Sequence, residues 1–182
     1  MIGIRIRTAR SGEGRLLPQI ERSAGRLFSQ VESLAWIADV DDLPPVFHER
    51  LIADRTCWLA IGGSNVAVGF ISAEAIGRTL HIWELSVAKL WQRRGIGTRL
   101  MEHVIGEATR RGMDEVTLTT FRNVPWNAPF YAGLGFQAVS ECDERLEALL
   151  RTEEASGFEV ETRCAMRLII GHEACSSEPR SI

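Results

Sequence analysis

Residues Leu80–Met101 read LHIWELSVAKLWQRRGIGTRLM. The first part, Leu80–Val87, is rich in aliphatic, aromatic and β-branched residues and predicts a strand. Gln92-Arg93-Arg94-Gly95-Ile96-Gly97 predicts a tight basic loop. From Ile96 onward, apolar residues at Leu100, Met101, Val104, Ile105 and Ala108 recur at three- and four-residue spacing and predict a helix. A helix that starts at such a loop favours an anion. Its first backbone N–H groups lack intrahelical partners, and the helix dipole adds partial positive charge there. Two glycines let a phosphate approach the bare backbone. Lys89, Arg93, Arg94 and Arg99 add positive charge around the loop.

The spacing discriminates among phosphate ligands. A P-loop needs G-x-x-x-x-G-K-[ST], which does not occur. A dinucleotide fingerprint needs a third glycine where Leu100 stands. Taken alone, the loop also fits an ordinary strand–turn–helix with a basic surface. Gln92-x-x-Gly95-x-Gly97 behind Leu85-x-Val87 resembles the acyl-CoA pyrophosphate motif of the GNAT superfamily of N-acetyltransferases.

The 182 residues suit one domain with a sizeable core. A hydrophobic content of 45% and a charged content of 25% are ordinary for a globular chain. A net charge of −3 argues against a nucleic-acid binder, so the basic loop is a local feature. Cys57, Cys142, Cys164 and Cys175 form no C-x-x-C pair and no zinc spacing, so no metal is expected. The arginines of MIGIRIRTAR interrupt any leader-like apolar core. No apolar run reaches membrane-spanning length. The expectation is a cytoplasmic protein with reduced thiols and no membrane partner.

Outward from the loop, Ile2–Thr8 alternates as a half-buried strand. Ser11 is placed to cap a helix whose apolar face runs through Leu16, Leu17, Ile20, Ala24, Leu27, Phe28 and Val31. Its other face carries Arg15, Glu21, Arg22 and Arg26, which read as solvated charges. An acidic stretch with Trp36, Asp39, Asp41 and Asp42 leads to Pro44-Pro45 and a second short helix. Thr56–Ile61 and Val66–Ala73 predict a hairpin around Gly62-Gly63-Ser64-Asn65, and the meander continues into Leu80–Val87. The loop's helix ends near Arg110-Arg111-Gly112. Glu115–Thr120 is then a strand parallel to Leu80–Val87. A short helix around Tyr131, a strand from Phe136, a helix over Asp143–Ala155 and a strand over Glu161–Ile170 follow.

Tyr131-x-x-x-Gly135-Phe136 is similar to the end of the GNAT acyl-CoA region, and the order of elements is that family's. The resemblance spans roughly residues 4–170. It implies an α/β (α+β) fold, a mixed and mainly antiparallel central sheet of about seven strands flanked by helices. A parallel strand pair would splay at the acyl-CoA site. A single domain over 1–170 and a flexible tail over 171–182 are expected. Carried over residue by residue, Leu85, Ser86 and Val87 would line the acyl arm. Gln92, Arg93, Arg94, Gly95, Ile96, Gly97 and Thr98 would cradle the pyrophosphate. Asn127 would be a cofactor contact, although it stands one turn before Tyr131 where the family pattern has an asparagine about two turns earlier. Lys89 also replaces the proline common before the loop.

Tyr131 is the sole tyrosine. A phenol stays protonated near neutrality, with a pKa of about 10, and could protonate an expelled thiolate. It equally fits a packing aromatic whose hydroxyl finds some partner. The family context makes it the candidate general acid. Glu84 precedes the acyl-binding residues and is the candidate base, or a carboxylate on a wet sheet face. Strict alternation would group Ile82, Glu84 and Ser86 on one face and Trp83, Leu85 and Val87 on the other. His81 and His48 are weaker candidates for the base. No Cys or Ser nucleophile constellation is evident, which favours direct transfer in a ternary complex.

The resemblance thus implies an acetyl-CoA-dependent N-acetyltransferase, with acetyl-CoA as co-substrate. Trp36, Asp39, Asp42, Glu84 and Trp126 would suit a small cationic amine by charge and cation–π contact. The alternatives are a protein N-terminus or lysine as acceptor, or a non-catalytic acyl-CoA-binding module. Family members often form homodimers, for which the edges of the last hairpin would serve.

Overall fold

The computed structural model describes residues 3–39 and 42–171. Ile2, Asp41, Cys175 and the expected tail beyond Gly171 lie outside them. The elements run β1 (Arg5–Thr8), α1 (Leu17–Gly25), α2 (Pro45–Ala53), β2 (Cys57–Ile61), β3 (Ala67–Ile76) and β4 (Thr79–Val87). Then come α3 (Ile96–Arg110), β5 (Glu115–Phe121), α4 (Ala128–Ala132), β6 (Gln137–Ala138), α5 (Glu144–Ala155) and β7 (Arg163–Ile169). The strands make one seven-stranded sheet in the order β1-β2-β3-β4-β5-β7-β6. Every neighbouring pair is antiparallel except β4 and β5. Among the described residues, no helix is long and apolar enough to cross a membrane.

Helices cover both faces. On one face, Leu100, Met101, Val104 and Ala108 of α3 pack on Trp58, Ala60, Ile71, Leu80, Ile82, Val116 and Leu118. Those helix positions are the three- and four-residue stripe of the sequence, and each is fully buried. Full burial of such a side chain is worth roughly 2 kcal/mol. On the other face, Leu17 and Ile20 of α1 and Leu51 and Ile52 of α2 pack on Cys57, Leu59, Ile61 and Phe70. β2 is thus buried on both sides along its whole length. A continuous apolar run, CWLAI, is what such a strand requires.

Three local expectations change. The first helix stops at Gly25, and the chain goes on as 3₁₀ turns over Phe28–Gln30 and Glu32–Asp39. Glycine weakens a helix interior, and Phe28 and Val31 instead join a separate cluster with Leu34, Phe121 and Trp126. Ser11 does not cap α1. A short 3₁₀ turn, Gly14–Leu16, precedes it, and the Glu49 carboxylate of α2 accepts from the N–H groups of Gly12 (3.1 Å) and Gly14 (2.7 Å). Finally, β4 carries a bulge. Ser72 pairs with Glu84 and Ala73 with Ile82, which leaves Trp83 as the extra residue. A bulge breaks strict alternation. Ile82 therefore packs with Leu85 and Val87 on the α3 face, while Trp83 joins the α1/α2 face. Ser86 bonds to Glu84, so those two remain on one side.

Candidate active site

β4 and β5 stay paired only from Thr79↔Glu115 to Ile82↔Leu118. Beyond that point they separate, and β4 keeps only its β3 partners. Strand twist and the bulge at Trp83 open the gap. A cleft of about 980 Å³ occupies it, lined by α1, the glycine loop, β4, β5, α4 and the start of β7.

One end of the cleft is the glycine loop. Gly95 sits at φ +74° and Arg93 at φ +58°. This left-handed turn lets α3 begin abruptly, with Gly95, Ile96, Gly97 and Thr98 on the cleft wall. The first bond of the helix runs from Arg99 N–H to the Gly95 carbonyl at 3.1 Å. The N–H groups ahead of it are the ones a helix leaves without intrahelical partners. A Cβ on Gly95 would meet nothing within 4 Å, and one on Gly97 only the tip of Phe130 at 3.6 Å. The bare loop therefore leaves a space that an anion fits. Gln92 lines the cleft, but its Nε2 donates to the Val87 carbonyl at 2.9 Å and ties the loop to β4. Of the four cationic side chains around the loop, Arg93 alone is on the wall. Arg94 stacks on Trp91 at 5.1 Å, and Arg99 donates to the Ile4 carbonyl at 2.7 Å.

The middle is the splayed β4, with Leu85, Ser86 and Val87 on the wall. Gly69 of β3 lies so close that a Cβ there would stand 2.9 Å from the Ser86 carbonyl oxygen. Ser86 donates its hydroxyl to Glu84 at 2.6 Å. Burial pushes the Glu84 carboxyl up to about 8, the charge of Glu21 adds to the rise, and the Ser86 hydroxyl opposes it. Tyr131 of α4 lines the same stretch and is only 9% exposed. Its ring packs against Phe130 and Phe136. Burial, then the nearby Glu84 charge, raise the phenol well above its ordinary value. It is therefore a proton donor at any working pH. Asn127 also lines the cleft and pins α4 to the splayed end of β5, Nδ2 donating to Thr120 Oγ1 at 2.9 Å. Its Oδ1 is buried without a hydrogen-bond partner.

The far end is aromatic and charged. Phe28, Phe121, Trp126 and Phe158 line it, with Phe28 stacked near Phe121 (5.4 Å) and Trp126 (6.1 Å). Arg163 lies over Phe121 and Phe158 and makes a two-pronged bond with Glu153, 2.9 Å on each arm. Arg22 is paired with Asp42 at the wall. Trp36 stays off the wall and packs on Phe158 at 5.1 Å. The side chain of Asp39 lies outside the described residues. Glu21, Arg22, Phe28, Glu153, Phe158 and Arg163 had no signal as site residues in the sequence, because α1, the 3₁₀ turn at Phe28, α5, the turn after it and β7 bring them together only in the fold.

Of the histidines, His81 is buried, 2.9 Å from Thr117 Oγ1, and burial drives it down to about 3. An imidazole that stays neutral to such acidity is a poor proton acceptor. His48 is fully buried and not on the wall.

A family model described as acetyltransferase (GNAT) family matches residues 24–136. Among solved structures, the chain resembles the PaiA N-acetyltransferase of Thermoplasma acidophilum in complex with coenzyme A, at 16% identity and a TM-score of 0.67. The match covers 92% of this chain and 99% of that one. It also resembles N-acetylglutamate synthase of Neisseria gonorrhoeae complexed with coenzyme A and N-acetyl-glutamate, at 18% identity and a TM-score of 0.66. There 93% of this chain matches 36% of that one. A GNAT-family acetyltransferase of Staphylococcus aureus aligns at 16% identity and a TM-score of 0.65, over 93% of this chain and all of that one (100%).

Proposed function

The chain belongs to the GNAT family of acetyltransferases, and from that premise we propose that it is an N-acetyltransferase using acetyl-CoA. The acceptor is a small primary amine, attacked directly in a ternary complex. One observation carries this reading: Glu84 and Tyr131 come to one stretch of a cleft whose other end is the anion-favouring start of α3.

The division of labour follows from the chemistry of each group. The first turn of α3 and Arg93 hold the pyrophosphate by backbone N–H groups and charge. Leu85 and Val87 flank the acyl arm, and the Asn127 carbonyl oxygen is a free acceptor beside it. Acetyl-CoA supplies a thioester carbonyl. Glu84 takes a proton from the acceptor ammonium, and the freed nitrogen lone pair attacks that carbonyl. The C–N bond forms and the C–S bond breaks. Tyr131 gives its proton to the departing thiolate. Of the two protons left on the nitrogen, one goes to solvent and one stays in the amide, and solvent exchange returns Glu84 and Tyr131 to their starting states. A base with a pKa of about 8 suits this task, because it is ionised over the range where amines start to yield protons.

Direct attack is supported by the cysteines. None lines the cleft among the described residues. Burial pushes the Cys57 thiol up to about 11 and also raises Cys142 and Cys164. A thiol so protonated is a weak nucleophile.

The test is a thermal shift with acetyl-CoA against ADP, followed by thiol release over a panel of primary amines. A ligand that binds only the folded state raises Tm by mass action. A rise with acetyl-CoA that ADP does not reproduce, and thiol release with a small amine, are expected. Binding without turnover on any amine would make the chain an acyl-CoA-binding module. Turnover confined to peptide amines would make the acceptor a protein.

A further inference from the structure

Glu21 lies on α1, on the face whose charges read as solvated in the sequence. In the fold that face turns toward β4, and Glu21 joins Glu84 on the wall of the cleft. Its side chain is only 18% exposed. Oε1 accepts from Leu43 N–H at 3.3 Å. Oε2 is buried without a hydrogen-bond partner, 3.7 Å from Nε2 of His48, which is equally buried and equally without one. His48 is fully enclosed, edge-on to Phe47 and Phe70, with Nδ1 3.4 Å from Ser72 Oγ. Ser72 is the β3 partner of Glu84. The imidazole therefore lies between Glu21 and the strand pair that carries Glu84, with Nε2 facing Glu21.

The other charges of this part of the cleft are matched in place, Arg22 with Asp42 and Arg163 with Glu153. Among the described residues, no lysine or arginine forms an ion pair with Glu21 or Glu84. The charge of Arg163 reaches Glu84, but its guanidinium is bonded to Glu153. Two carboxylates partly withdrawn from water and without a lysine or arginine partner form a site that a bound cation stabilises. The aromatic rings at the far end of the same cleft provide an apolar surface and favour a cation by their quadrupoles.

We propose that Glu21 is the second carboxylate of the acceptor site. With Glu84 it brackets the ammonium of a primary amine whose apolar, aromatic-sized body lies on Phe28, Phe121, Trp126 and Phe158. His48 is a positioning residue that holds the Glu21 carboxylate in place. This rests on the N-acetyltransferase reading and extends it from the catalytic pair to the class of acceptor.

The experiment is calorimetric binding of 2-phenylethylamine to the protein saturated with CoA, with 3-phenylpropionate and 2-phenylethanol as anionic and neutral counterparts. Acetyl-CoA binding is measured separately by thermal shift. The amine is expected to bind at least tenfold more tightly than either counterpart. Glu21→Gln should weaken the amine about tenfold and leave the acetyl-CoA shift unchanged, and Glu21→Asp should recover part of the loss. His48→Gln should weaken the amine less than Glu21→Gln does. Equal binding of the amine and the propionate, no amine binding, or amine affinity indifferent to Glu21→Gln each overturns the proposal. A wild type that binds the amine no better than its counterparts overturns it even if a variant does not fold, and Glu21→Asp provides a second variant should Glu21→Gln not fold. Loss of the acetyl-CoA shift in the wild type would instead overturn the transferase reading, and this proposal with it.

Discussion

The hydroxyl of Ser86 donates a 2.6 Å hydrogen bond to the carboxylate of Glu84, two positions earlier on the same strand. Residues at that spacing share a face, so β4 itself supplies the contact. The bond favours the ionised carboxylate against the burial that disfavours it. A hydrogen bond to a charged group worth roughly 1.5 kcal/mol corresponds to about one pKa unit. Ser86→Ala should therefore move the acid limb of kcat/KM up by about one pH unit. The same carboxyl should be visible in stability. Its folded pKa, about 8, lies above the ordinary carboxylate value. Its contribution to folding is thus present at low pH and lost as pH rises through about 8. Glu84→Gln should raise Tm relative to wild type more at pH 9 than at pH 5, and a difference that is the same at both would contradict this.

Tyr131→Phe removes only the phenolic oxygen from a nearly buried ring. Because the ring's packing on Phe130 and Phe136 is kept, the thermal shift with acetyl-CoA should be that of wild type. Loss of a general acid lowers the rate by roughly 100-fold or more. Single-turnover thiol release at saturating acetyl-CoA checks it, and an unchanged rate would leave Tyr131 as a packing residue.

Gly97→Val places a branched side chain at the loop's mouth. The nearest atom to its Cβ is the tip of Phe130 at 3.6 Å, an ordinary contact. Folding should be little affected, whereas the added methyl groups occupy the space ahead of the α3 N-terminus. Acetyl-CoA affinity should fall at least tenfold by titration calorimetry, with Tm of the unliganded protein within a few degrees of wild type.

Gly69→Ala probes the middle of the sheet. Its Cβ would meet the Ser86 carbonyl oxygen at 2.9 Å, and backbone cannot swing aside as a side-chain tip can. Overpacking of this kind costs about 1–3 kcal/mol. Urea unfolding should show that loss, and kcat/KM should fall with it because the residue displaced is the one that bonds Glu84.

The elements that were legible in the sequence are those with a strong local signal. α3 shows its stripe at Leu100, Met101, Val104 and Ala108, its glycine start and its Arg111-Gly112 end. β2 announces its double burial by an unbroken apolar run. The Gly95/Gly97 turn can be read because a left-handed residue before a helix has few sequence solutions. The bulge at Trp83 had no such signal. One extra residue in a ladder is set by how β3 and β4 pair, and neither strand's own pattern reveals it. The Glu49 contact to Gly12 and Gly14 was hidden for the same reason, since the acceptor comes from a helix more than 30 residues away.

By itself the sequence determined the order of helices and strands and the glycine turn that starts α3, and it singled out Glu84 and Tyr131, which both line the cleft. Periodicity, turn chemistry and motif spacing are local properties, and a chain carries them wherever it goes. The tertiary structure alone decided which charges face the cleft. Glu21 and Arg22 stand on a helix surface that looks solvated until α1 docks beside β4. His48 reads only as a weaker candidate base until the docking of α2 buries it behind Glu21. The environment that lifts Glu84 to about 8 exists only when α1 and β4 share one cleft, because burial and the field of a neighbouring charge are properties of packed elements.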